Sequence, residues 1–300
     1  MNTATLETVL AGLMRRYTER VPDVASILEN MQHDNLISSP HQIENDHIAF
    51  RTLGVPHLGI ASFEKIFKAL GYTRRDHYHF AAKKLDAYWY SPPSEKLPRI
   101  FVSELRVADL SPSARAIIAS YVGAIQSDPV DALDLSSAAE IDAFLHAPLW
   151  RLPTLADYLE LAKESEYAAW VIHNRHYLNH YTISVHNLPA PFNTLGRFNQ
   201  FLESHDVVLN TSGGKIKQSP DGLLLQSSTV AEMLTAEFAG GERHTISGSY
   251  VEFAERLVVP EFQHLEPHQI KREHRREGFE AGNADKIFES TYSEQTAQRN

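Results

Sequence analysis

A pattern of one strand, one helix and three strands occurs twice in this chain, and that repetition constrains the fold more than any other feature of the sequence. In the first copy "DHIAFRTL" reads as a strand. "SFEKIFKALGY" follows as a helix, with Phe63, Ile66, Phe67 and Leu70 at helical spacing, Ser62 to cap its start and Gly71 to end it. "YTRRDHYHF", "LDAYWYSP" and "PRIFVSELRV" are three short strands. In the second copy "LNHYTISVHNL" alternates in polarity, and "TLGRFNQFLESH" puts Leu195, Phe198 and Leu202 on one helical side. "DVVLNTSG", "GLLLQSSTV" and "SGSYVEFAERL" read as strands, with "VAEMLTAEFAG" as an intervening helix. Asn45-Asp46-His47 aligns with Leu178-Asn179-His180, so a histidine opens each unit.

The remaining segments surround this pair. Residues 3–19 form an amphipathic helix with Leu6, Val9, Leu10 and Leu13 on one stripe, followed by the turn-rich "HDNLISSPHQ". Between the units, "SPSARAIIASYVGAI", "SSAAEIDAFLHA" and "PTLADYLELAKESEYAAWVIHN" have helical spacing. The tail from Gln263 reads as an exposed helix anchored by Phe279, Ile287 and Phe288, with "IKREHRRE" as its solvated face and a fraying end. The expected organisation is a single domain over 1–300: module one at about 40–110, a helical insert at about 111–175, module two at about 176–260 and a tail at about 261–300.

Composition narrows the function classes. The balance of 28 basic against 38 acidic residues argues against a general nucleic-acid binder. No apolar run approaches the roughly 18 residues of a membrane span. The N-terminus lacks the basic start and apolar stretch of a secretory signal, so a cytoplasmic protein is expected. With no cysteine and 16 histidines, a transition-metal site must use histidine and carboxylate.

Side chains alternate along a strand, so His47 and Arg51 share one face while Ile48 and Phe50 share the other. His180, Thr182, Ser184 and His186 share a face in the second unit, and Glu252, Ala254 and Arg256 share one in its last strand. If the two sheets meet at a common cleft, His47, His180 and Glu252 converge. Two imidazoles and one carboxylate on one face of a metal make the facial triad of non-haem Fe(II) oxygenases, with positions left open for a 2-oxo acid and O2. Arg51 suits a carboxylate, because a planar guanidinium grips it with two parallel hydrogen bonds. A salt bridge to Glu44 or Asp46 is the other arrangement open to it.

"DHIAFRT" and "FEKIFKALGY", then "LNHYT", "LLLQSST", "YVEFAER" and "GFEAGNADKIFEST", resemble the DUF1338 family, over roughly residues 5–292. Its characterised members are 2-oxoadipate dioxygenase/decarboxylases, also called hydroxyglutarate synthases. The resemblance implies an α+β, glyoxalase-like variant of the vicinal oxygen chelate fold. Paired βαβββ modules would surround a central metal cleft, with an inserted helical region. It implies Fe(II) held by His47, His180 and Glu252, and Arg51 as the catalytic, substrate-binding residue on the substrate carboxylate. The implied reaction is 2-oxoadipate plus O2 giving 2-hydroxyglutarate plus CO2, in lysine breakdown. The expected partners are a small 2-oxo acid and O2, with no nucleic acid or membrane and a homodimer left open.

Other polar residues have plainer readings. His186 lies too far along its strand for the metal, and His77 and His79 are exposed strand residues. Gln226, Ser227 and Ser228 either bond a ligand or metal-bound water, or Ser228 and Thr229 cap the next helix. Aligning "IFVSEL" with "SYVEFA" sets Ser103 opposite Glu252 and leaves Glu104 out of the site. The rival readings are a glyoxalase-type isomerase or another metalloenzyme of the same fold, and a non-catalytic binding module.

Overall fold

The structure, a computed structural model, describes residues 3–299. Helices α1 (Thr3–Arg20) and α2 (Pro22–His33) precede β1 (Asn45–Leu53). The first unit continues with α3 (Ile60–Ala69), β2 (Thr73–Phe80), β3 (Leu85–Ser91) and β4 (Arg99–Leu105). The insert is α4 (Pro112–Val122), α5 (Ala138–Leu145), α6 (Leu155–Glu164) and α7 (Glu166–Asn174). The second unit has β5 (His180–Ser184), α8 (Leu195–Ser204), β6 (Lys217–Gln218), β7 (Leu224–Ser228), a hairpin of β8 (Met233–Glu237) and β9 (Arg243–Ser247), and β10 (Tyr250–Arg256). Helices α9 (Ala281–Phe288) and α10 (Ser293–Thr296) close the chain. Among the described residues no helix is long and apolar enough to cross a membrane.

Eight strands form one sheet in the order β2-β3-β4-β1-β5-β10-β7-β6. The order reads alike outward from the centre. β1 pairs with β4 in parallel, and β5 pairs with β10 in parallel. The next two pairings on each side are antiparallel. The units join through the antiparallel β1–β5 pair, where Ala49 lies opposite His180. The β8–β9 hairpin is an insertion in the second unit, outside the main sheet.

Alternation in β1 divides the interior into two cores. Ile48 and Phe50 turn toward α3, where Phe50 meets Phe63 and Phe67, and this core extends beneath α1, α2 and α8. Ala49 turns the other way, into a core shared with Phe101, with Tyr167 and Trp170 of α7 and with Phe279 and Phe288 of the tail. Burying both faces excludes water from any polar group set among these side chains.

Several local expectations are corrected. "VAEMLTAEFAG" is strand β8 rather than a helix: Gly240 and Gly241, both at positive φ, turn it back onto β9. Ala236, Phe238 and Ile246 then bury against Leu155 and Tyr158, a tertiary partner that outweighs the helical propensity of the segment. With no helix to cap, Ser228 bonds Ser290, and Thr229 Oγ1 accepts from the Val251 amide. "DVVLNTSG" contributes one isolated bridge, Leu209 to Thr229, and β6 takes the edge position. α2 begins at a proline in its first turn and fills the residues between the first expected helix and the turn-rich stretch, to which no element was assigned. Ser165 ends α6 and caps α7, dividing one expected helix in two. The charge run of the tail is no helix face. Arg272 donates to the carbonyls of Glu95 and Leu97, Arg275 donates to that of Arg256, and Glu277 pairs with Arg99.

Candidate metal centre

The strand registers place the candidate ligands. His47 on β1, His180 on β5 and Glu252 on β10 project from the same sheet face, and their ligand atoms lie within 4.8 Å of one another. His47 Nε2 is 3.5 Å from Glu252 Oε1, and His180 Nε2 is 3.1 Å from Glu252 Oε2. The two Nε2 atoms are 3.4 Å apart, and Thr182 Oγ1 lies 3.0 Å from that of His47. All three residues are buried.

Each imidazole is fixed through its other nitrogen. His47 Nδ1 is 2.8 Å from Asp46 Oδ1, and His180 Nδ1 is 3.0 Å from Asn179 Oδ1. Nδ1–H donation in both rings turns the Nε2 lone pairs toward Glu252. Gln226 Nε2 donates to Glu252 Oε1 at 2.6 Å and is itself held by Asn283 of α9. Two imidazole nitrogens and a carboxylate facing one another in a buried site form a donor set that fits a divalent metal.

The electrostatics are asymmetric. Burial disfavours the His47 imidazolium, but Glu252 and Asp46 outweigh it and raise its pKa above the ordinary value. Burial, with the neighbouring His47 and Arg51 charges, holds His180 well below its ordinary value, so its ring is neutral. Burial also opposes the Asp46 carboxylate, yet Arg256 and Arg99 keep it ionised well below the usual range. Arg256 grips both Asp46 oxygens, at 2.7 and 2.9 Å.

Above the triad is a small cavity walled by Phe101 and Tyr250 and roofed by Phe279, Ile287 and Phe288. The Phe279 ring stands edge-on to His47, with centroids 4.8 Å apart. Phe101 corrects the expected alignment. His47 pairs with Arg99 across β1–β4, as His180 pairs with Tyr250 across β5–β10. Two residues further on, the counterpart of Glu252 is therefore Phe101, not Ser103. Glu104 points away and accepts the Ile60 amide at 2.7 Å. The second unit supplies a carboxylate where the first supplies a phenyl ring, so three protein ligands meet and one flank is apolar.

Arg51 lies on the triad face, fully buried, and forms neither of the salt bridges that were its alternative arrangement. It donates to Thr291 Oγ1 at 2.8 Å and to the Phe288 carbonyl at 3.0 Å, among the rings of Tyr167, Trp170 and Phe288. Asp46 is taken by Arg99 and Arg256. His186 accepts the Arg256 amide, outside the triad, and His77 and His79 flank Asp86 near the surface. The roles of Asp46 and Asn179 were missed, although each directly precedes a histidine; that repeated adjacency was the available signal.

Comparison with known proteins finds relatives along almost the whole chain. Residues 9–267 match the family described as 2-oxoadipate dioxygenase/decarboxylase. The chain is 42% identical to the chloroplastic/amyloplastic 2-oxoadipate dioxygenase/decarboxylase of Oryza sativa subsp. japonica, across 97% of this chain and 80% of that protein. It is 43% identical to the chloroplastic protein of that name from Arabidopsis thaliana, across 97% and 78%. The crystal structure of the Oryza sativa hydroxyglutarate synthase in complex with 2-oxoadipate superposes with a TM-score of 0.89, at 41% identity over 98% of this chain and 94% of that one. A protein from Ralstonia eutropha JMP134, described as of the glyoxalase superfamily, shares the fold, with a TM-score of 0.68 at 22% identity over 93% and 86%. The expectation of a cytoplasmic protein is overturned, since both plant relatives are named as plastid proteins.

Proposed function

The chain belongs to the 2-oxoadipate dioxygenase/decarboxylase family, and from that premise we propose that His47, His180 and Glu252 hold Fe(II) while Arg51 binds a carboxylate of the substrate. The enzyme is a decarboxylating dioxygenase that converts 2-oxoadipate and O2 to 2-hydroxyglutarate and CO2. The buried two-histidine, one-carboxylate group beneath a small, largely apolar cavity carries this reading. Bound Fe(II) supplies Lewis acidity and one-electron chemistry toward O2.

The chain's own residues supply position and dryness. Asp46 and Asn179 fix the two rings, and Gln226 orients Glu252. Phe101 on the flank and Phe279 and Phe288 above keep bulk water from the reacting carbons. Arg51 has a buried charge without a carboxylate partner and a free Nε–H, which suits an arriving carboxylate. A glyoxalase-type isomerase with a fourth protein ligand is disfavoured by Phe101.

The test is oxygen uptake by Fe(II)-loaded protein, prepared anaerobically, against a panel of 2-oxo acids, with His180→Ala as control. We expect uptake with 2-oxoadipate, matched by CO2 release and abolished in the variant. Bound iron with no uptake on any oxo acid sinks the proposal.

A further inference from the structure

Lysine and arginine side chains seldom lie fully buried without a counter-ion, because burial penalises the unpaired charge. Among the described residues four such side chains are buried: Arg51, Arg99, Lys217 and Arg256. Arg99 pairs with Asp46 and Glu277, and Arg256 pairs with Asp46. Arg51 and Lys217 pair with no carboxylate. Arg51 already has a place in the proposed function; Lys217 has none.

The registers put Lys217 on the face of the triad. Lys217 lies opposite Gln226 across β6–β7, Gln226 lies opposite Ala254 across β7–β10, and Ala254 shares its face with Glu252. Gln226 itself lines the cavity and bonds Glu252. Small polar groups join the two positions. Lys217 Nζ donates to the Asn210 carbonyl at 2.7 Å, Asn210 Nδ2 donates to Ser290 Oγ, and Ser290 Oγ is 2.8 Å from Ser228 Oγ, opposite Glu252. Only one of three ammonium donors is used. The acids that influence Lys217 are engaged elsewhere: Glu252 by Gln226 and the histidines, Glu289 by Lys83 and Ser212. Burial pulls the Lys217 pKa down to about 8, as expected of an ammonium without its anion.

The two unpaired cations flank the triad on opposite sides. Arg51 is on β1, beyond the histidines, and Lys217 is on the edge strand, two strands past Glu252. The proposed metal and Arg51 together answer the carboxylate at the oxo-acid end of either substrate; the second carboxylate of a 2-oxo diacid needs a cation of its own. We infer that Lys217 is a specificity-determining residue that draws the remote carboxylate of a dicarboxylic 2-oxo acid and so selects diacids over monoacids. The inference rests on the proposed 2-oxo acid dioxygenase function. It assigns the charged end of the substrate to the β6 side of the cavity, beneath α9.

The test compares 2-oxoadipate with 2-oxohexanoate, which has the same chain length and no second carboxylate, in wild type and in Lys217→Met. Losing one charge-assisted contact shrinks the kcat/KM preference for the diacid by at least about tenfold, mainly through KM, while Lys217→Arg keeps most of it. If the Met variant does not fold, Lys217→Gln, which keeps a donor and drops the charge, carries the same comparison. A merely structural lysine, tying down the Asn210 loop, lowers both substrates equally, and that result overturns the assignment. A wild type that prefers the diacid beside a neutral variant that keeps the preference also overturns it, leaving the dioxygenase reading intact. A wild type inactive on every 2-oxo acid overturns both.

Discussion

Asp46 and Asn179 stand in the same place in the two units and differ by one charge. Each accepts from the Nδ1 of the following histidine, but only Asp46 brings a carboxylate, kept ionised by Arg256 and Arg99. A negative partner strengthens the imidazole as a donor, so with the proposed metal bound His47 is the stronger ligand of the pair. Asp46→Asn therefore weakens metal binding by about 10–100-fold, measured by competition with a chelating dye. It also strips the buried Arg256 of its anion, costing about 3–5 kcal/mol of stability, checked by urea unfolding. Full-strength metal binding in the folded variant would refute the argument. The convergence of the three residues was legible, because strand alternation and the repeat both single out His47 and His180. Asp46 was not, because a residue next to a histidine in a regular strand faces the other way. The β1–β5 register shifts between Asn45 and Ile48, and that irregularity returns Asp46 to its neighbour. Phe101 escaped for a different reason: its equivalence to Glu252 depends on register, which the order of residues does not disclose.

The tail segment around α9 is the element on which the site depends most. Phe288 roofs the cavity, its ring meets Phe80 edge-on at 5.1 Å, and its carbonyl accepts from Arg51. Asn283 of the same helix steadies Gln226, and through it Glu252. Phe288→Ala removes the roof while leaving the ligands in place. It costs about 3–5 kcal/mol and admits water, so more than one O2 is consumed for each 2-hydroxyglutarate formed. Parallel oxygen-electrode and product assays give that ratio, and a value of one would show that the roof does not protect the reaction. Phe279, Ile287 and Phe288 were recognisable as anchors from hydrophobicity alone. Their target was not, because the contact spans most of the chain. The β8–β9 hairpin shows the same limit: Met233–Glu237 has the composition of a helix and becomes a strand because a distant partner buries its alternate residues.

At the scale of the whole molecule, the two units are held in a wrap formed by both ends of the chain. Arg299 reaches back to Asp23 of α2 and to the Val230 carbonyl, and Glu232, just before β8, lies beside the same pair. Burial, and then Asp23, raise the Glu232 carboxyl to about 7, with Arg299 opposing. In the unfolded chain this carboxyl ionises near ~4.3. Between these values the folded state keeps a proton that the unfolded state has released. Stability from this group is therefore fully present below about pH 4 and is lost as pH rises through about 7. Glu232→Gln keeps the shape and removes the ionisation. It should leave stability nearly unchanged at pH 4.5 and raise it by about 1 kcal/mol at pH 8, because solvent around this half-buried group screens most of the roughly 3–4 kcal/mol that the full shift corresponds to, flattening the pH profile of urea unfolding. Arg299→Ala removes the opposing cation and should steepen the same profile, while Glu232→Gln combined with it returns to the flat one. If the double variant stays as steep as Arg299→Ala alone, the titrating group is elsewhere and the two ends are joined by packing instead.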